Sequence, residues 1–245
     1  MTHRVSVVRS LAFQGLSERV TTEEGRSSNP RSLVERVYEN LLDRIITGAI
    51  KYGDTISIKK IASELSVSSM PVREAVKRLE FEGVVTIKPR SACRVRVPTR
   101  RMILEVYELR EAMEAFAVKR SAGKVDPATI QRMQETVDRM RRLSEERDTS
   151  AREQKAIELD RQFHEEIVGL AGNEMLSAFS RQLSLHVNMT LMHEKTFHNL
   201  EREWPEMHAE VLRCIQSDPP RAVQLLREQF GRAVTLWEAN GSARA

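Results

Sequence analysis

The chain is short of several things that would define a function at once. It has two cysteines, Cys93 and Cys214, far apart in its 245 residues. Isolated thiols at such a distance exclude a disulfide framework and a cysteine zinc motif. No apolar run approaches the roughly 18–20 residues of a membrane helix. The N-terminal stretch lacks a continuous apolar segment followed by a small-residue cleavage site, which argues against a signal peptide. There is no phosphate loop, no nucleophile arrangement and no general base at motif spacing. Internal repeats and low-complexity tracts are also missing. These absences point to a protein of the cytoplasm with no membrane partner.

Charge is present and unevenly placed. The whole chain is +4, with 39 Lys/Arg and 35 Asp/Glu. Residues 1–98 hold 17 basic and 11 acidic side chains, and residues 99–245 hold 22 and 24. A basic front half and a near-neutral rear half imply that the front meets a polyanion. Residues 57–98 alone carry a net +5.

Residues 1–30 read as a disordered tail, with Thr21–Pro30 of linker composition. Ser32–Thr47 has Leu33, Val37, Leu41 and Ile45 at helical spacing behind a capping serine. Gly53-Asp54 reads as a turn. Ser57–Leu65 predicts a short helix with Ile58, Ile61, Ala62 and Leu65 inward. A second short helix follows, capped by Ser68 or Ser69. Pro71 sits in its first turn, where proline is tolerated, and Val72, Val76 and Leu79 share one face. Two short helices at a tight turn, the second basic outside, match a helix-turn-helix. Val84–Ile87 and Cys93–Val97 predict two strands around Lys88-Pro89-Arg90-Ser91, a wing. After Pro98-Thr99 no strand is predicted. Six helices follow, over Thr99–Ser121, Pro127–Arg147, Arg152–Ala171, Glu174–Phe197, Arg202–Gln216 and Pro219–Ala239. The fold expected is therefore mainly α, a winged helix-turn-helix at 31–98 and an all-α antiparallel bundle at 99–240, with a tail at 241–245.

The front half resembles the winged-helix domain of the GntR family of bacterial transcription regulators. The resemblance rests on Ile61-Ala62-Ser63-Glu64-Leu65, Pro71-Val72-Arg73-Glu74-Ala75-Val76 and Leu79-Glu80-Phe81-Glu82-Gly83-Val84-Val85. It implies a DNA-contacting set of Lys59, Ser68, Ser69, Met70, Arg73, Lys77, Lys88 and Arg90. The family has arginine where Ser69 stands, and glycine in the wing near Ser91. The rear half resembles the FadR subfamily's FCD effector domain. Here the evidence is Glu108-Leu109-Arg110-Glu111-Ala112-Met113-Glu114, then Asp160-Arg161-Gln162-Phe163-His164 with Ala171-Gly172-Asn173, and Met207-His208.

Asp160 and His164 are four apart, one helical turn, so both can reach one ion. The same spacing also fits a surface hydrogen-bonded pair. The resemblance adds His208 and implies a divalent transition metal such as Zn, Ni or Mn, for which carboxylate and imidazole are suitable ligands. The family's third histidine is missing. Alignment on Asp218 puts Gln229 there, and an ungapped alignment puts Phe230. The site is then weakened by Gln229, vacant, or completed by an effector carboxylate, water or another histidine such as His186. Arg110 resembles the arginine that grips the effector carboxylate, a role suited to its planar fork; an ion pair with Glu114 is the alternative. Trp204 and Trp237 read as core, and His193 and His198 as surface or loop.

The function expected is a homodimeric, sequence-specific repressor of transcription. A small organic acid bound in the helical domain would alter its affinity for a DNA operator. The rival is a helical-bundle metalloenzyme acting on a small carboxylate with a metal-bound water.

Overall fold

The computed structural model describes residues 32–88, 93–146, 149–192 and 203–241. The elements run α1 (Leu33–Ile46), β1 (Thr55–Ile56), α2 (Ile58–Glu64), α3 (Ser69–Phe81), β2 (Val85–Ile87) and β3 (Cys93–Val95). Then come α4 (Arg100–Ser121), α5 (Pro127–Ser144), α6 (Ser150–Gly169), α7 (Glu174–Met192), α8 (Trp204–Ser217) and α9 (Pro219–Gly241). The chain divides into two compact units at Val97/Pro98. The predicted tail at residues 1–30 and the wing tip with Arg90 lie outside the described residues, as do His193 and His198.

In the first unit α3 buries Val72, Ala75, Val76 and Leu79 against Val37, Tyr38, Leu41 and Ile45 of α1. Ser32 caps α1 by accepting from the Glu35 amide. The turn of the helix-turn-helix is closed by Ser66, whose φ is +53°. The Val67 amide donates back to the Ala62 carbonyl, 2.9 Å, which satisfies an orphan carbonyl of α2. Gly83 ends α3 in the same way, at φ +76°, with the Val84 amide on the Leu79 carbonyl at 2.8 Å.

The sheet has three strands in the order β1-β3-β2, both pairings antiparallel. The predicted turn at Gly53-Asp54 runs into β1, a strand the sequence did not suggest. Two residues are too short for alternation to show, and they are strands only because β3 pairs with them, Thr55 opposite Arg94 and Ile56 opposite Cys93.

An ionic clasp ties α3 to α1. The Tyr38 hydroxyl donates to Glu82, 2.6 Å, and Arg78 stacks over the Tyr38 ring at 3.7 Å. Arg78 also pairs with Glu35 at 2.6 Å and Glu82 at 3.1 Å. Burial first, then the Glu82 carboxylate, push the Tyr38 hydroxyl well above its usual range, so it stays a donor. Removing that donor leaves a buried carboxylate oxygen without it. Tyr38→Phe is therefore expected to cost about 1.5–3 kcal/mol. Urea unfolding followed by circular dichroism measures it, and an unchanged midpoint would mean that Arg78 alone satisfies Glu82.

In the second unit, six helices pack around a core that includes Met133, Val137, Met140, Phe163, Ile167, Val211, Ile215 and Leu226. α4 packs on α6, α7 and α9, and α8 packs on α5 and α9. α6 starts two residues before the predicted position because Thr149 caps it, accepting from the Arg152 amide.

Candidate functional site

Four helices of the second unit converge on one small cavity of about 30 Å³. Its wall is Tyr107 and Arg110 from α4, Asp160 and His164 from α6, Trp204, Met207 and His208 from α8, and Gln229, Phe230 and Ala233 from α9. Helical spacing explains the grouping. Asp160 and His164, like Trp204 and His208, are one turn apart, so each pair shares a face.

The two imidazoles are held at their outer nitrogens. His164 Nδ1 lies 2.7 Å from the Glu114 carboxylate, and His208 Nδ1 lies 2.7 Å from the Trp204 carbonyl. A carboxylate and a carbonyl can only accept here, so both Nδ1 atoms carry the proton and both Nε2 atoms present lone pairs. Those Nε2 atoms are 3.2 Å apart. Asp160 Oδ1 is 3.3 Å from His208 Nε2 and 3.7 Å from His164 Nε2. With both imidazoles neutral, three acceptors face one another with no hydrogen between them. A cation relieves that repulsion. Two of the three separations match neighbouring positions around an ion with bonds of about 2.1 Å, which lie roughly 3.0–3.4 Å apart, and the third, 3.7 Å between Asp160 Oδ1 and His164 Nε2, is somewhat wider. Asp160, His164 and His208 are also the described residues whose ligand atoms cluster tightly enough to hold a metal.

Burial pushes the Asp160 carboxyl up, but His164, Arg110 and His208 outweigh it and hold the group far below the usual carboxylate range. Burial, helped by Arg110, holds the His164 imidazole below its usual range against the pull of Glu114 and Asp160. An ionised carboxylate and a neutral imidazole are the ligating forms. Outer partners complete the arrangement. Trp204 Nε1 donates to Asp160 Oδ1 at 3.1 Å, and Phe163 packs edge-on against both imidazoles.

Arg110 is buried, paired with Glu114 at 2.9 Å and Asp160 at 3.3 Å, and lies over the Phe230 ring. The ion pair with Glu114 is therefore real, but it is internal and extends to Asp160. Gln229 is buried in the wall, and neither Oε1 nor Nε2 has a partner among the described residues. Tyr107 Oη is in the same condition.

The first unit presents a different surface. Opposite its buried stripe, α3 exposes Met70 and Arg73, with Lys77 paired to Glu74 at 3.1 Å. Ser68 holds the N-cap position, but its side chain makes no capping bond, and Ser69 opens the helix. Lys59 is exposed on α2 and Lys88 just after β2. Arg73 has no ion-pair partner among the described residues.

The model of the family "Bacterial regulatory proteins, gntR family" matches residues 33–95, and the FCD domain model matches residues 105–232. The chain belongs to the GntR family of transcriptional regulators. The Nta operon transcriptional regulator of Aminobacter aminovorans is 30% identical over 188 residues, 71% of this chain and 87% of that relative. The gluconate operon transcriptional repressor of Bacillus licheniformis is 39% identical over 85 residues, 35% of each chain. A crystal structure of a GntR regulator from Rhodococcus sp. RHA1 superposes with a TM-score of 0.70 at 25% identity, covering 84% of this chain and 97% of that one.

As a GntR regulator with an FCD effector-binding domain, the protein binds DNA and is not an enzyme. Of its sequence-predicted site residues, the cavity gathers Arg110, Asp160, His164, His208 and Gln229. His186 is half-buried on α7 and does not line the cavity. Phe230, the ungapped alternative to Gln229, lies beside it in the wall. Trp204, read from sequence as core packing, is buried but also holds Asp160. Glu114, Tyr107 and Met207 were not foreseen at the site. The spacing Tyr107, Arg110, Glu114 on one helical face was the available signal for two of them. No helix among the described residues is long and apolar enough to cross a membrane.

Proposed function

We propose that this regulator is a homodimeric repressor whose operator affinity is set by a small organic acid in the α4/α6/α8/α9 cavity, with a divalent transition metal held by Asp160, His164 and His208. The observation that carries the reading is the convergence of three lone-pair donors, each fixed from behind, in an effector-binding domain. When bound, the metal supplies a Lewis-acidic centre with open positions for an oxygen ligand. The chain's own residues orient the ligating atoms and exclude water.

Charge gives the order of binding. Arg110, Glu114 and Asp160 together bear one net negative charge in formal terms, in a buried cluster. An acid entering alone meets like charge. A divalent cation reverses the sign and makes an anion welcome. A repressor role is supported by what the Bacillus relative is named for. Two copies would place two α3 helices in successive major grooves of a near-palindromic site.

Arg73 is exposed on the outer face of α3, with no ion-pair partner among the described residues, so it is placed to contact a base or phosphate. Arg73→Ala is expected to weaken operator binding by about 1–3 kcal/mol. A gel-shift titration against operator and unrelated DNA measures this. Equal loss on both, with a lower salt slope, identifies a phosphate contact; loss on operator alone identifies a base contact. Unchanged affinity on both would remove α3 as the reading helix.

A further inference from the structure

The helical unit has a second and much larger concavity, of about 570 Å³, where the end of α4, the start of α5 and the end of α6 meet. That volume lies in the range of small-molecule sites, roughly 300–1,000 Å³. Its wall shares no residue with the Asp160/His164/His208 cavity. Arg120, Lys124 and Arg132 line it, and none of the three has an ion-pair partner among the described residues. Two of them are held from behind. Arg120 Nε donates to the Ala171 carbonyl at 2.7 Å, which leaves both its terminal nitrogens for a ligand. One terminal nitrogen of Arg132 donates to Thr129 Oγ1 at 2.7 Å, and that hydroxyl is itself fixed by Asp126 at 2.5 Å. Met133 and Leu170 add apolar wall. Cations of one sign around a concavity with apolar walls concentrate a positive field inside it.

Water solvates a single exposed cation well enough; three that share one concavity, two with their forks fixed in advance, suit an anion. A carboxylate fills one guanidinium fork. A phosphate monoester carries about −1.5 to −2 charge and three acceptor oxygens, enough for two forks and an ammonium. A bare phosphate ion would occupy only a small part of the volume. The acids in the wall indicate the rest of the molecule. Asp126 accepts from the Thr129 amide and hydroxyl, and Glu166 accepts from Gln162 at 2.9 Å and Thr136 at 3.2 Å. A carboxylate has about four lone-pair sites, so both can still take hydroxyl donors. The wall keeps one net positive charge, with three basic against two acidic side chains. We propose that this concavity is a second ligand site, which takes the phosphate monoester of a small polyhydroxy compound. Arg120, Lys124 and Arg132 hold the phosphate, and Asp126 and Glu166 take the hydroxyls. The proposal stands apart from the organic-acid reading of the other cavity, and neither depends on the other.

The test is isothermal titration of the full-length protein, with a chelator present so that no metal can hold the phosphate. The probes are ribose 5-phosphate, ribose and ribonate. Ribose 5-phosphate should bind at one equivalent per chain, about tenfold or more tightly than either of the others. Lys124→Gln and Arg132→Gln should each weaken it by about tenfold, the scale of one hydrogen bond to a charged group. Lys124 is exposed and its side chain holds no other element, so Lys124→Gln keeps the test intact if Arg132→Gln misfolds. Arg227→Gln removes the same charge from the exposed surface of α9 and should leave the affinity unchanged. No binding of ribose 5-phosphate, or equal binding of ribose or ribonate, overturns the proposal. So does full affinity in both concavity variants, or an equal loss in Arg227→Gln, which would mean general charge attraction.

Discussion

Arg110→Ala is expected to destabilise the helical unit by about 3–5 kcal/mol, the cost of leaving buried charge without its counter-charge. The guanidinium sits between Glu114 and Asp160, and all three are nearly inaccessible to solvent. Removing it leaves two carboxylates facing each other through a site walled by Phe230 and Tyr107. Arg110→Leu combined with Glu114→Leu should reverse the loss only in part, since it removes one of the two unpaired carboxylates but leaves Asp160 without the guanidinium and His164 Nδ1 without its acceptor. The protein's two tryptophans, Trp204 and Trp237, both lie in this unit, so urea unfolding followed by tryptophan fluorescence reports on it alone. A loss under 1 kcal/mol for the single variant would mean that the carboxylates take up protons or water at little cost. It follows that Arg110→Ala cannot by itself test effector contact; any loss of binding must be read against the loss of fold.

The second large effect is expected from the proposed ion. Metal binding to the folded state alone stabilises it by mass action, by about 4 kcal/mol at a thousandfold excess over Kd. For a unit of this size that raises Tm by roughly 8–16 °C. Zinc, nickel and manganese should be tried in turn, each reversed by chelation. His208→Ala should abolish the shift, because Nε2 of that residue completes the three-donor face. Gln229→His should enlarge it by adding a third imidazole, a fourth ligand, beside the cavity, and should keep metal bound through dialysis that strips the unaltered protein. A shift of equal size in His208→Ala places the ion elsewhere. An ion that resists strong chelation in the unaltered protein, with no gain from Gln229→His, contradicts a three-ligand site.

Much of this was legible in the chain. The helix-turn-helix shows because caps, a first-turn proline and apolar spacing all act within a few residues. The Asp160/His164 pair shows for the same reason, since one helical turn fixes their shared face. What stayed hidden depends on contacts between distant segments. β1 exists only through β3. The second duty of Trp204 requires α6 to pass beside it, and nothing in the local sequence of α8 announces a bond to Asp160. Glu114 was visible as a partner for Arg110, but its hold on His164 spans fifty residues. Gln229 could be placed by counting from Asp218; that its amide would face the cavity unpaired could not.

The clasp of Tyr38, Arg78, Glu35 and Glu82 has a consequence for signalling. With its inner face fully packed and its last turn bolted to α1, α3 has little freedom to change shape when a ligand arrives elsewhere. In a dimer, what remains adjustable is the local concentration at which the second reading head meets its half-site once the first is bound. A single half-site should then bind with the same affinity whether or not the acid is present, while the complete operator responds to it through effective molarity alone.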